Sequence, residues 1–351
     1  MATQQSTAFA FGSFNSFCDQ IAMSLCPLVG PNPAIEPTCY SRNIEISRTL
    51  IFEPATLVMH IIALIMTAIM IFHIRSKYTA VGRKEIVMFF YIYFVMTIIE
   101  FLTVGGIIPT ASSVYPWFVA VQTSLTVTAF WCLFLNGFVP FQWTEDGTPL
   151  SLWSIRLTSL IMFVITYIVS IATFKNTAGL NSSNPVGLFV LFFVLPLVFT
   201  LIYLVLQIIL VVNTLDDRWP LGDILLAAFF FTIAQIVNFA VSDKICRVAK
   251  HYVDGMFFGT ICTLLAVMMV YKYWDSITKE DLEFSVGGKN NMWEIRDPLL
   301  SDDAMAAQAH AQAANKPADH RGSVMAHPAY GATGVAAPPM SQQPTQTAFR
   351  A

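Results

Sequence analysis

Residues 54–74 read PATLVMHIIALIMTAIMIFHI, an apolar run whose only ionisable side chains are His60 and His73. A helix of about 20 such residues matches a bilayer core of about 30 Å. Six more stretches of this kind follow, at 86–108, 117–139, 157–174, 186–212, 224–242 and 252–271. In hydrocarbon every backbone N–H and C=O has to be paired inside its own segment, so these stretches are helices rather than strands. The pattern predicts an all-α, polytopic membrane protein with seven transmembrane helices.

Composition agrees. The 351 residues are 56% hydrophobic and 12% charged, against about 25% charged in soluble domains, and the mean hydropathy is +0.62. Of the 19 basic and 22 acidic side chains, only Glu100 and Asp254 fall inside the seven stretches. Three parts follow: a Cys- and Pro-rich segment at 1–53, a seven-helix domain at 54–274 and a tail at 275–351. With no basic stripe and no zinc-finger spacing, nucleic acid is excluded as a partner. The first basic residue is Arg42, so residues 1–30 have no positive n-region, and the first apolar stretch is expected to act as the targeting signal.

Short loops rich in Lys and Arg stay on the cytosolic side. Arg75, Lys77, Arg83 and Lys84 follow the first stretch, whereas the loop after the second holds none. This predicts a luminal or external N-terminus and a cytosolic C-terminus. Lys244, Arg247 and Lys250 dissent, but early charges usually set topology. Cys18, Cys26, Cys39 and Cys246 then fall on the oxidising side. They are candidates for two luminal disulfides, with three pairings open and free thiols the alternative. Asn181-Ser182-Ser183 is a glycosylation sequon on the same side, in a loop short enough to hold Asn181 near the membrane. Cys132 and Cys262 lie within apolar stretches and read as small core residues.

Phe9, Phe11, Phe14 and Phe17 alternate with small residues ahead of prolines 27, 31, 33 and 37, which predicts a compact, turn-rich cap. Trp117, Trp143, Trp153, Trp219 and Trp274 stand at span ends as expected of interfacial anchors. From about residue 304 the chain is rich in Ala, Gln, Pro and Gly, a composition expected to stay disordered.

Ionisable groups inside a membrane are functional candidates. Glu100 lies late in the second stretch and His60 early in the first, so that adjacent antiparallel helices bring them near one depth. Asn136, Gln207, Gln235 and Asn238 are further polar side chains in or near spans. Glu100, His60 and Asn238 are the candidates for contact with a membrane partner, with a structural inter-helix hydrogen bond or a proton or ion path as the alternatives. Pro196, the one central proline, predicts a simple kink. No phosphate loop, dinucleotide fingerprint, His-Glu-x-x-His or nucleophile elbow is present. The six histidines do not cluster at ligand spacing, so no metal, cofactor or enzymatic activity is expected. Lys272 lies too near the end of its span for a retinal attachment, and no inverted repeat marks a transporter. A seven-span receptor or a small-solute transporter are the competing readings. In the tail, Asp281-Leu282-Glu283 has the acidic-x-acidic form of an export signal for a vesicle coat.

The ordered set Phe11-Gly12-Ser13-Phe14, Leu25-Cys26-Pro27-Leu28-Val29-Gly30, Cys39-Tyr40-Ser41-Arg42-Asn43, Phe52-Glu53-Pro54, Trp143-Thr144-Glu145-Asp146-Gly147, Ser242-Asp243-Lys244-Ile245-Cys246 and Tyr271-Lys272-Tyr273-Trp274-Asp275 resembles the fungal chitin synthase export chaperone family over about residues 9–300. The resemblance implies a non-enzymatic protein of the endoplasmic reticulum membrane that helps chitin synthase fold and leave for the cell surface, in support of cell wall synthesis. It implies chitin synthase as the membrane client, while the Asp281-Leu282-Glu283 pattern offers the vesicle coat as a second partner, with an exposed charged segment as the alternative. Such a role would need polar side chains facing outward from the bundle, a luminal cap and a cytosolic export signal, and Glu100, the cysteine-rich segment and Asp281/Glu283 are the candidates for those three. The expected location is the endoplasmic reticulum membrane, with passage to the cell surface alongside the client as the alternative.

Overall fold

The computed structural model describes residues 11–30, 35, 37–46, 49–78, 80–141, 147–215 and 218–287, excluding the side chains of 46, 49 and 279–287. Among these residues seven helices are long and apolar enough to cross a membrane. They are span one (Pro54–Ser76), span two (Arg83–Val104), span three (Tyr115–Phe141), span four (Pro149–Phe174), span five (Val186–Thr214), span six (Trp219–Val248) and span seven (Gly255–Thr278). The last continues as helix to Gly287. Spans one, two, three, five, six and seven contact one another in that order and close into a ring, with span four packed outside against span three.

Several spans begin on proline: Pro54 and Pro149 stand first in their helices, Pro116 and Pro220 second. A proline there loses no helical hydrogen bond and comes with φ already set. Span four starts at Pro149 rather than at 157, because Thr148 caps it by accepting from the Ser151 N–H at 3.3 Å. Span two stops at Val104 rather than 108. Gly106 there takes φ +68°, and a Cβ on it would lie 2.2 Å from the Phe52 ring. Span seven starts at Gly255, which leaves Asp254 outside the helix as its cap, accepting from the Phe257 N–H at 3.3 Å.

Span one shows how the faces divide. His60, Ala63, Thr67, Met70 and Ile74 are buried at spacings of three and four, while Ile61, Ile62, Ile65, Ile69 and Phe72 are exposed. Both faces are apolar, and the small or polar residues mark the inner one, as expected where lipid is as apolar as leucine. Two clusters hold the molecule. At the end carrying the N-terminal segment, the cap end, Phe14, Cys18, Cys26 and Val29 pack on Tyr115, Val119 and Leu188. At the far end Ile74, Ile86, Phe90, Cys132, Tyr273 and Trp274 form the other.

Trp274 therefore departs from the expected anchoring role: it is buried and donates its indole N–H to the Val81 carbonyl at 3.2 Å. Trp153 and Trp219 are exposed, as an anchor requires. A short antiparallel hairpin, β1 (Ile44–Ile46) and β2 (Thr49–Ile51), precedes span one. Pro196 does not act alone. A π-helical turn, Val190–Val194, lies just before it, where the missing Pro196 N–H leaves the carbonyl four residues earlier without its helical donor. A second π-turn, Val237–Val241, interrupts span six.

Candidate functional site: an acid and imidazole cluster above a central cavity

His60 Nδ1 donates to the Thr56 carbonyl at 2.8 Å, four residues earlier on its own helix. Its other nitrogen, Nε2, faces Glu100 Oε2 across the span one–span two contact at 3.5 Å. Because a carbonyl only accepts, Nδ1 carries a hydrogen. One further proton then has to sit between Nε2 and the carboxyl group for their contact to be attractive. His60 is buried, and the Glu100 side chain keeps 30% of its surface.

A second acidic pair stands at the cap end, just outside the spans. Glu53 precedes Pro54 with φ 46°, a left-handed conformation unusual for a residue with a side chain. Its carboxyl group is buried, hydrogen-bonded to Asp254 and to Thr56. Burial, followed by the charge of Asp254, holds the Glu53 carboxyl well above the usual carboxylate range. Burial also raises Asp254, while the Phe257 N–H opposes the shift. In this pair Glu53 is the proton donor, since Asp254 has helix N–H groups to stabilise its charge. Glu100 adds to the repulsion that Glu53 feels, so the two pairs form one cluster.

Below this cluster the ring lines a partly open cavity of about 560 Å³. His60, Glu100 and Asn238 all line it. The structure thus gathers the three candidate contact residues but turns them inward, against the expectation that they project from the bundle's outer surface. Interior placement is what the cost of ionisable groups in hydrocarbon favours. Both π-turns face the same cavity, through Phe192 and Phe193 of one and Asn238 and Phe239 of the other. Two other candidates serve as struts: Gln207 accepts from the Tyr273 hydroxyl at 2.7 Å, and Asn136 donates to the Cys132 carbonyl at 2.8 Å.

The four cysteines at the cap end pair as Cys18–Cys26 and Cys39–Cys246. The second bridge joins the N-terminal segment to the loop between spans six and seven, and the Arg42 N–H to His251 carbonyl hydrogen bond, at 2.7 Å, runs beside it. His251 Nδ1 lies 3.4 Å from the Cys39 sulfur and 3.1 Å from the Tyr40 carbonyl. Cys39, Cys246 and His251 are close enough to resemble a metal set, but a disulfide has spent both thiolates and the three do not form one. Asn181 is exposed, with its side-chain oxygen accepting from Ser183 N–H at 3.2 Å. Asp281 and Glu283 lie on the helix that continues span seven; their side chains, like the tail from 304, are outside the described residues.

Sequence reasoning missed Glu53 and Glu85 as buried acids. Glu85 sits in the first turn of span two and accepts from Gly147 N–H at 2.8 Å. Both lie just beyond the apolar stretches, where hydropathy expects solvent. The one available signal was Glu53-Pro54, since a residue before proline at a helix start is conformationally restricted.

Seven spans, six of them closed around a central cavity and the fourth packed outside, with a disulfide-tied cap, define a multi-pass membrane protein. The model of the family described as "Chitin synthase export chaperone" matches residues 10–288. Proteins with that name from Chaetomium globosum, Cryptococcus neoformans and Aspergillus fumigatus are 53%, 51% and 50% identical to it. The alignments cover 86%, 86% and 89% of this chain and 92%, 85% and 97% of those proteins. No solved structure matches. The chain belongs to the chitin synthase export chaperone family.

Proposed function

We propose that this protein is a non-catalytic chaperone that binds chitin synthase in the endoplasmic reticulum membrane and promotes its export toward the cell surface. The observation that carries this reading is the family match, which runs through the cap and all seven spans. A chitin synthase has to bury polar helices in lipid, and a partner with its own intramembrane polar groups can satisfy them until assembly is complete. Glu100, the least buried of the cavity's ionisable groups, is assigned to meet the client, with His60 orienting it and Asn238 supporting it from span six.

The cap end faces the lumen in this reading. Two disulfides at that end suit an oxidising compartment, and Arg75, Lys77, Arg83 and Lys84 at the other suit the cytosol. Asp281-Leu282-Glu283 then lies on the cytosolic side, within reach of a vesicle coat. The test is deletion of the gene with imaging of a tagged chitin synthase. Client held in the endoplasmic reticulum while unrelated membrane cargo leaves is the expected result; normal delivery overturns the proposal. Complementation separates the roles: Glu100→Ala is expected to lose co-purification with the client, and the Asp281→Ala/Glu283→Ala double variant to keep it while slowing export.

A further inference from the structure

The central cavity is divided along its length. His60, Glu100, Gln122 and Asn238 lie about 6–15 Å in from the cap ends of their helices, at 1.5 Å per residue. Phe89, Leu133, Ile224 and Val270 line it about 22 Å or more from the same ends. The N-terminal segment contributes Phe17, Ile21 and Ser24 above the polar zone. The result is a chamber with a polar head region under the cap and an apolar tail region beneath it. Its size is in the usual range for a small-molecule site, about 300–1,000 Å³.

With His60 Nε2 facing Glu100, one polar atom of the head region has no hydrogen-bond partner among the described residues: Asn238 Oδ1. It costs stability while unmet in a buried setting. Asn238 sits in a π-turn, a feature common at functional sites, and Phe193 and Phe239 of the two π-turns both contact Phe17 of the cap, at 4.5 and 5.0 Å between ring centres. The chemistry of the wall selects the head group. Neither Lys nor Arg lines the cavity among the described residues, so a phosphate would meet the Glu100 carboxylate without a counter-charge. An ammonium would have to take the Glu100 carboxyl group from His60, which already faces it. A hydroxyl both donates and accepts, and so reaches the Asn238 amide oxygen without displacing that pair.

We propose that this cavity binds a neutral, hydroxyl-headed lipid with one acyl chain or one sterol nucleus, its hydroxyl among His60, Glu100 and Asn238 and its tail in the apolar depth. A sterol and a monoacylglycerol share this chemistry. The test uses the purified full-length protein in nanodiscs, without client, and two photoreactive probes: a sterol with a free 3-hydroxyl and a monoacylglycerol. Crosslinked residues are mapped by mass spectrometry. Saturable labelling of cavity-lining positions on spans three, six and seven, competed by the unlabelled lipid, is expected from one probe, and which one identifies the source.

Ala266→Phe, which fills the tail region, is expected to reduce labelling about tenfold, the equivalent of about two methylenes of lost burial. Asn238→Leu, which removes an unmet acceptor without filling the tail region, is a second variant. Both are scored only where the Cys39–Cys246 mobility shift and monodisperse elution persist. Labelling confined to lipid-facing residues such as Ile65, labelling that is not competed, or equal labelling of folded Ala266→Phe overturns the proposal. Because no client is present, either overturning result leaves the export role standing, and normal client delivery after deletion leaves the lipid site standing.

Discussion

Glu53 occupies a backbone conformation that side chains avoid, before a proline, with its carboxyl group buried against Asp254. Strain of this kind persists where surrounding contacts over-determine it, and here the shared proton is one of them. The pKa of Glu53 is raised in the folded protein. Its contribution to stability is therefore complete below the ordinary carboxylate range and is lost as pH rises through the raised value; Asp254, also raised, acts with the same sign. The melting temperature of the purified protein should fall as pH rises above the ordinary carboxylate range. Glu53→Gln keeps a donor toward Asp254 but cannot ionise, so it should flatten that slope. An unchanged slope in the variant would show that other groups carry it. The His60–Glu100 contact was legible from sequence, because both residues interrupt apolar runs at matching depth. Glu53 and Glu85 were not, because burial outside an apolar run depends on what folds over it.

Among the elements, the contact between spans six and seven depends on two glycines four residues apart. A Cβ on Gly255 would lie 2.4 Å from Ser242 Oγ, and one on Gly259 would lie 2.0 Å from Asn238 Oδ1. Small residues at this spacing let helix backbones approach in a membrane. Gly259→Ala should destabilise the protein by about 1–3 kcal/mol, as overpacking of a tight contact does. Asn238→Ala in the same chain should recover part of the loss, since the two positions share one contact. Thermal unfolding of the single and double variants checks this, and purely additive losses would count against it. Existence and approximate span of the seven helices came from hydropathy. Their ends came from capping by Thr148, Asp254 and the prolines, which hydropathy does not register.

At the scale of the whole molecule, Cys39–Cys246 links positions 207 residues apart and ties the N-terminal segment to the loop before span seven. Closing so long a loop restricts the unfolded chain strongly. Cys246→Ser should abolish the non-reducing mobility shift of this bridge and cost about 2–5 kcal/mol of stability. Retention of the shift in Cys246→Ser would show that the bridge has another partner. The same loss should loosen the cap over the cavity, seen as faster hydrogen exchange in residues 37–46 and 249–254.

The amino-acid sequence by itself determined the membrane-spanning class, the number of spans, and Glu100 and His60 as ionisable groups within them. Runs of some twenty apolar residues leave the backbone no alternative to helix in lipid. Its ordered motifs also carried the family resemblance. Only the tertiary structure decided which way those polar residues face, which cysteines pair, and that Glu53 shares a proton environment with Asp254. Each of these depends on contacts between segments far apart in the chain. In a membrane both faces of a helix are apolar, so periodicity alone says little about which face turns inward; ring closure of the spans decides it.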